Sequence, residues 1–263
     1  MAQITSRQLK TALRRLTKRF TGVPQRLVVP ILLGLIIWWT SQKGYWWLAL
    51  ILVVAAELVL RQSKGKLQER LKEQLPALMM AGSIALSISL LPKAASQLAL
   101  ATAYAAWRYY FGGTSKPSDT GLIGIFLVQI AFFEAVFLAA AISGPPPALT
   151  LVVVWLGCFG LAHSLLRGRG ERNAVLMASV WALVAAECSW VFTTWLVSYV
   201  TVGGYVIIPQ PTLVLSALAY CFGGIYMAQR QNKLSRTRLS EYMFIVLIIL
   251  AIVIAGTKWR GSL

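Results

Sequence analysis

The chain is dominated by long apolar stretches that alternate with short basic or turn-forming segments. A helix that crosses a bilayer needs about 20 predominantly apolar residues, and a window of about 19 residues indicates nine such spans. They cover residues 27–42, 45–60, 76–91, 94–111, 121–143, 147–166, 174–199, 211–229 and 240–257. The pattern therefore predicts an all-α fold, a polytopic transmembrane helical bundle.

The third and fourth spans have the weakest pattern. Both are short and rich in Ala, Ser and Gly, and only Pro92 and Lys93 separate them. If the two form a single re-entrant hairpin, the bundle has seven spans. The prediction therefore ranges from seven to nine spans.

Composition and charge give this bundle an orientation. Apolar residues make up 58% of the 263 positions and charged residues only 13%, whereas soluble proteins are about 25% charged. The net charge of +17 would suggest nucleic acid in a soluble protein, but here the basic residues alternate between loops. With the N-terminus in the cytoplasm, 21 of the 25 Lys and Arg residues lie on cytoplasmic segments. That alternation predicts an N-in, C-out topology, with anionic lipid headgroups rather than nucleic acid as partner.

Four regions follow from these patterns. Residues 1–26 form a basic amphipathic segment at the cytoplasmic surface. A membrane region covers 27–120 and contains the basic cytoplasmic loop 61–75, predicted as a second interfacial helix; residues 121–230 form a second membrane region, and 231–263 a loop with the last span. The first region carries the basic residues expected to face lipid or a partner: Arg7, Lys10, Arg14, Arg15, Lys18 and Arg19.

The region 121–230 contains an internal repeat. Cys158 opens a Cys-Phe-Gly motif that Arg167 follows, and Cys221 opens the same motif with Arg230 at the same distance. The offset is 63 residues in both cases. This predicts a tandem repeat of one helical hairpin, with two copies related by an axis along the membrane normal.

Two acidic residues, Glu134 and Glu187, lie near the middle of long apolar spans. Each lies 13 residues after the start of its predicted span, at Gly121 or Ala174, or about 20 Å along a helix. Ionisable residues inside a membrane are costly and usually functional. They are candidates for an ion or proton site, since a carboxyl in apolar surroundings favours its neutral form and can exchange a proton.

Packing is the alternative role for these two glutamates, because polar groups commonly hydrogen-bond neighbouring helices in membranes. Polar residues that could support either role of the glutamates lie close to them in the sequence. Gln129 lies near Glu134, and Ser189, Thr193 and Thr194 follow Glu187.

No motif of a known catalytic type is present in the sequence. There is no phosphate-binding Gly-Lys-Ser/Thr loop, Gly-x-Ser-x-Gly elbow or His-Glu-x-x-His helix. A single histidine cannot build a His-rich metal site, and three cysteines inside spans imply no disulfide framework. We therefore expect no metal and no cofactor, and enzymatic activity is not favoured although it stays open.

Two functional hypotheses remain. The leading one is proton-coupled or small-ion transport or conduction through a mid-membrane site at Glu134 and Glu187. The alternative is a non-catalytic structural or assembly protein that recruits a membrane or cytoplasmic protein partner, or anionic lipids, through its basic face. A homo-oligomer is compatible with both.

The last third of the chain resembles a known family. The runs that carry the resemblance are Glu187–Trp190 (ECSW), Trp195–Thr201 (WLVSYVT), Leu239–Tyr242 (LSEY) and Thr257–Trp259 (TKW). They resemble an uncharacterised multi-pass membrane protein family of reduced-genome, candidate-phyla bacteria. The resemblance implies a bacterial inner membrane and no particular chemistry. The acid-free, Arg-rich start leaves the mitochondrial inner membrane as the alternative.

Overall fold

A computed structural model describes residues 25–60, 67–111, 119–194, 198–200 and 207–256. Within these ranges the protein has nine helices and one small two-stranded sheet. The helices are α1 (Gln25–Gln42), α2 (Trp46–Leu60), α3 (Leu67–Leu90), α4 (Ala94–Phe111), α5 (Asp119–Ser143), α6 (Pro147–Gly168), α7 (Ala174–Thr194), α8 (Gln210–Arg230) and α9 (Arg236–Gly256). Between α7 and α8 lie β1 (Ser198–Val200) and β2 (Ile207–Pro209). The predicted all-α class is confirmed.

Four helices, α5 to α8, are long and apolar enough to cross a membrane. Three shorter apolar helical segments cover Val28–Gln42, Trp47–Ala56 and Gln74–Leu90. Length and composition thus support a multi-pass membrane protein.

Two predicted boundaries are wrong. Residues 67–75, expected in a separate interfacial helix of the loop 61–75, are continuous with the third predicted span in α3, and Pro76 lies inside that helix. The run before Pro76 is rich in Leu, Gln, Glu and Lys, which favour helix. The seventh span was predicted to reach residue 199, but α7 ends at Thr194 and a strand follows.

The strand that replaces the end of this span has a local cause. Ser198–Val200 lies in a run of aromatic and β-branched residues, which favour strands. It pairs antiparallel with Ile207–Pro209, with Tyr199 opposite Ile208. The connection from α7 to α8 therefore contains a short β-ladder where a loop was expected.

Helix α5 lies at the centre of the bundle. It contacts α3, α4, α6, α8 and β2. One buried cluster joins α1 to α4 with Val128 of α5. A second joins Phe133 and Phe137 of α5 to residues of α6, α7 and α8. These two clusters thus share this helix.

Helices α6 and α7 form the most closely packed hairpin. The buried side of α7 carries small residues, Ala178, Ala182, Ala185 and Ser189. Ala182 and Ala185 share a cluster with Val154 and Cys158 of α6. Small side chains let two helix backbones approach closely in membranes, so this stripe accounts for the contact.

A polar cluster joins the α6–α7 turn to the end of α8. The Tyr226 hydroxyl donates to Glu171 Oε2 at 2.8 Å, and the Arg230 guanidinium lies 3.3 Å from the same oxygen. Arg230 also donates to the backbone carbonyl of Arg169. The two turns thus lie side by side at one end of the bundle.

Candidate functional site

A cavity of about 700 Å³ lies between α3, α4, α5 and α8, with residues of α9 and β2 completing its wall. This volume lies within the range of about 300–1,000 Å³ that is typical of small-molecule sites. Most of the side chains that line it are aliphatic, including Leu100, Ile130, Leu138 and Ile249. The cavity is therefore an apolar chamber in which any polar group is conspicuous.

Glu134 is the one charged side chain among the described residues that line this cavity. Hydroxyl groups on three other helices also line it, namely Ser87, Ser96, Thr212, Ser216 and Tyr220. Such a lining, mostly apolar with a few convergent polar groups, is the usual composition of a ligand site.

The Thr212 hydroxyl lies close to the Glu134 carboxyl. Among the described residues, however, no hydrogen bond of normal distance and angle satisfies the Thr212 oxygen. The Ser216 oxygen, one turn further along α8, is also buried without a hydrogen bond. Thr212 is only 3% exposed. These groups give the cavity hydrogen-bonding capacity that the described residues do not fully use.

The pairing of α5 with α8 gives the cavity two different ends. The Phe126 ring of α5 lies 5.6 Å from the Tyr220 ring of α8, centroid to centroid. Glu134 and Thr212 each lie eight residues from these aromatic rings, on antiparallel helices. Eight helical residues rise about 12 Å. The chamber thus has a carboxyl-hydroxyl end and an aromatic end about 12 Å apart, with aliphatic residues between.

Glu187 lies elsewhere. Its side chain is exposed on α7, between Leu183 and Trp190, which are 54% and 57% exposed. It does not line the Glu134 cavity, and within the described part of the chain no hydrogen bond or ion pair engages it. The structure does not bring the two glutamates together.

The predicted supporting groups serve other contacts. Gln129 is buried, and its amide nitrogen lies 4.0 Å from Cys158 Sγ on α6. Ser189 donates to the carbonyl of Ala185 at 2.6 Å, and Thr193 to that of Trp190 at 2.8 Å. These bonds stay within α7 and involve neither glutamate. The side chain of Thr194 lies outside what the structure describes.

Several other predictions concern parts of the chain beyond the described ranges. The basic residues of the first region fall there, namely Arg7, Lys10, Arg14, Arg15, Lys18 and Arg19.

The three cysteines, all in described helices, are free. Across the described residues, no group of three or more His, Cys, Asp or Glu is placed to hold a metal ion.

The hydroxyl-bearing wall of α8 was missed by the sequence reasoning. Thr212, Ser216 and Tyr220 are spaced four residues apart, so they lie on one face of a helix. A polar stripe in an otherwise apolar span is a readable sign of an inward face. The two glutamates indicate only α5 and α7 as candidate helices, whereas the hydroxyl stripe on α8 indicates which side of that helix lines the cavity.

A second cavity of about 770 Å³ lies among α5, α6, α7, α8 and α9. Gln129 and Arg238 line it, and neither Glu134 nor Glu187 does. Its walls lack an acidic side chain among the described residues. The Glu134 chamber is therefore the better candidate for chemistry that exchanges a proton.

Comparison of the chain with protein-family models, with curated proteins and with solved structures finds no significant match.

Proposed function

We propose that this protein is a multi-pass membrane transporter or channel that moves a proton or a small solute through the chamber at Glu134. The solute class that fits is a small molecule with one cationic or hydrogen-donating group on a largely apolar body. Glu134 and the Thr212 hydroxyl contact that group, and the aliphatic walls contact the remainder.

The observation that supports this proposal most is the placement of Glu134. A carboxyl lies in an apolar chamber close to the Thr212 hydroxyl, and the buried Ser216 hydroxyl beside them makes no hydrogen bond to any described residue. Intramembrane ionisable residues that face a cavity are typical of substrate and proton pathways. A carboxylate can bind a cationic group, and a carboxylic acid can donate its proton. Glu134 can therefore serve both the binding of the solute and the transfer of a proton.

We further propose nine spans with the N-terminus in the cytoplasm, in a bacterial inner membrane. In favour of this topology, α5 and α8 run antiparallel, as the fifth and eighth spans would. The tandem hairpin repeat is part of the proposal. It is supported by the position of each glutamate, three residues past the middle of α5 and of α7.

The test is proton flux into liposomes that contain the full chain, followed with an internal pH-sensitive dye under an imposed membrane potential. The wild type should conduct above protein-free liposomes, and Glu134→Gln should lower the flux to that background. Glu187→Gln is the matched control, since it makes the same change on the outward helix, and should leave the flux unchanged. Equal flux in wild type and Glu134→Gln, or none in either, would contradict the proposal.

An assembly or lipid-recruiting role is the second candidate. Exposed basic residues lie on both turns at the end of the bundle that carries Glu171, namely Arg167, Arg172, Arg230, Lys233, Arg236 and Arg238. Clusters of this kind attract anionic headgroups. If this is the function, replacing Arg167, Arg172 and Lys233 with Gln should abolish the enrichment of phosphatidylglycerol around the purified protein. Unchanged enrichment would exclude it.

A further inference from the structure

The outward face of α7 carries a regular seam. Its exposed residues are spaced alternately by four and three positions: Leu176, Val180, Leu183, Glu187 and Trp190. This is the spacing that keeps one stripe of a helix against a parallel neighbour in a left-handed pair. Most transmembrane bundles use the same left-handed geometry. The seam is therefore built like one half of a helix–helix contact.

Within the single chain the seam stays largely exposed, although Leu176 and Val180 also border the second cavity. The opposite side of α7, with Ala182 and Ala185, already packs against α6. The seam residues Leu176 and Val180 are 65% and 54% exposed. No described residue packs over these two side chains.

Lipid chains alone would leave the Glu187 carboxyl without a hydrogen-bond partner. It lies three residues past the middle of a 21-residue apolar helix, and such residues almost always face protein or a water-filled cavity. It has no hydrogen-bond partner among the described residues. A second polar group at the same depth is what this position requires.

We propose that a second copy of this chain covers the face, so that the two α7 helices pair along the seam with Glu187 opposite Glu187. A carboxylic acid both donates and accepts a hydrogen bond, and is therefore complementary to itself across a two-fold axis. A single polar residue in an apolar seam also fixes the register and the number of helices. In α5 to α8, Lys and Arg occur only at helix ends, so no other pairing of these helices offers a cation at this depth.

The test is the dimer dissociation constant of the full chain in liposomes, measured by energy transfer between labelled copies as lipid dilutes the protein. Glu187→Leu should raise this constant about 5- to 30-fold, which is the range expected for hydrogen bonds between membrane helices. Glu187→Gln should stay near the wild type because an amide also donates and accepts. Leu156→Ala, on the outward face of α6 (55% exposed), is the control and should have no effect.

A second measurement does not depend on the folding of the Glu187→Leu variant. Leu183→Cys should cross-link to itself between copies under mild oxidation, in a chain with Cys188→Ala, whereas Leu156→Cys should not. A wild type that is monomeric at every lipid ratio would show that lipid, another segment of the same chain or a different protein covers the face, and would overturn the proposal. So would a dimer that Glu187→Leu leaves intact. This test of the dimer does not depend on proton flux. The proposed flux through the chamber is tested separately, by the Glu134→Gln variant.

Discussion

The wall that α5 presents to the cavity and the outward face of α7 each carry one glutamate at the same position along the helix. In the most apolar part of α5, 44% of the residues are buried. In α7 the corresponding share is 22%. The same residue type, three residues past the middle of its helix in both cases, thus faces an internal chamber in α5 and the surroundings of the described chain in α7.

This difference shows that the position of a residue along a helix and the direction of its side chain are separate properties. Measured from the middle of the helix, the position is the same for the two glutamates. Direction depends on which side of the helix packs against neighbours. A carboxyl that faces inward can meet a solute within one chain, whereas one that faces outward needs another molecule.

The side of α5 that packs against α6 should tolerate little additional volume. A Cβ on Gly157 of α6 would overlap the ring of Phe132 on α5, so Gly157→Ala should lower the free energy of unfolding by up to about 3 kcal/mol. The matched control is Gly223→Ala on α8, where the new atom would lie 3.9 Å from Leu122 and should change stability by less than about 0.5 kcal/mol. Unfolding in mixed micelles measures both. Equal effects would mean that α5 and α6 are not tightly packed at this contact.

Removing the same atoms from a buried side of α5 and from the outward face of α7 should have different effects on stability. Val128 of α5 is fully buried, and Val175 of α7 is 59% exposed. Val128→Ala should cost about 1–2 kcal/mol because it leaves a void, and Val175→Ala should cost less than about 0.5 kcal/mol. The same unfolding measurement applies. A larger loss for Val175→Ala would reverse the assignment of inner and outer faces.

Filling the chamber should affect flux more than stability. Ser216→Leu removes a buried hydroxyl that makes no hydrogen bond and adds apolar volume to the cavity, so stability should change by less than about 1 kcal/mol. Proton flux in liposomes should nevertheless fall. Ser179→Leu, which adds the same side chain on α7, should leave flux unchanged. Undiminished flux with Ser216→Leu would place the pathway outside this chamber.

Much of the fold could be predicted from the sequence. Residues 147–166 and 211–229 were predicted as spans, and the helices run from Pro147 to Gly168 and from Gln210 to Arg230. Prolines at the start of both helices mark these boundaries, since proline suits the first helical turn. The end of α7 was harder, because apolar residues that favour a strand continue the hydropathy of the helix past Thr194.

The candidate site could be predicted only in part. The isolation of Glu134 and Glu187 was visible, but a shared site required both to face inward. The small residues Ala182 and Ala185 already indicate the packed side of α7, and Glu187 lies two residues beyond Ala185, roughly on the opposite side. Thr212 joins the site through the packing of α8 on α5, and no local pattern specifies that pairing.

The most direct test of the separation between the two glutamates is cross-linking within one chain whose native cysteines are replaced by alanine. A short bifunctional thiol reagent should join Glu134→Cys to Thr212→Cys, because these side chains lie together at the polar end of the chamber. The same reagent should not join Glu134→Cys to Glu187→Cys within a monomer. Efficient cross-linking of the two glutamate positions, with none between positions 134 and 212, would contradict the account.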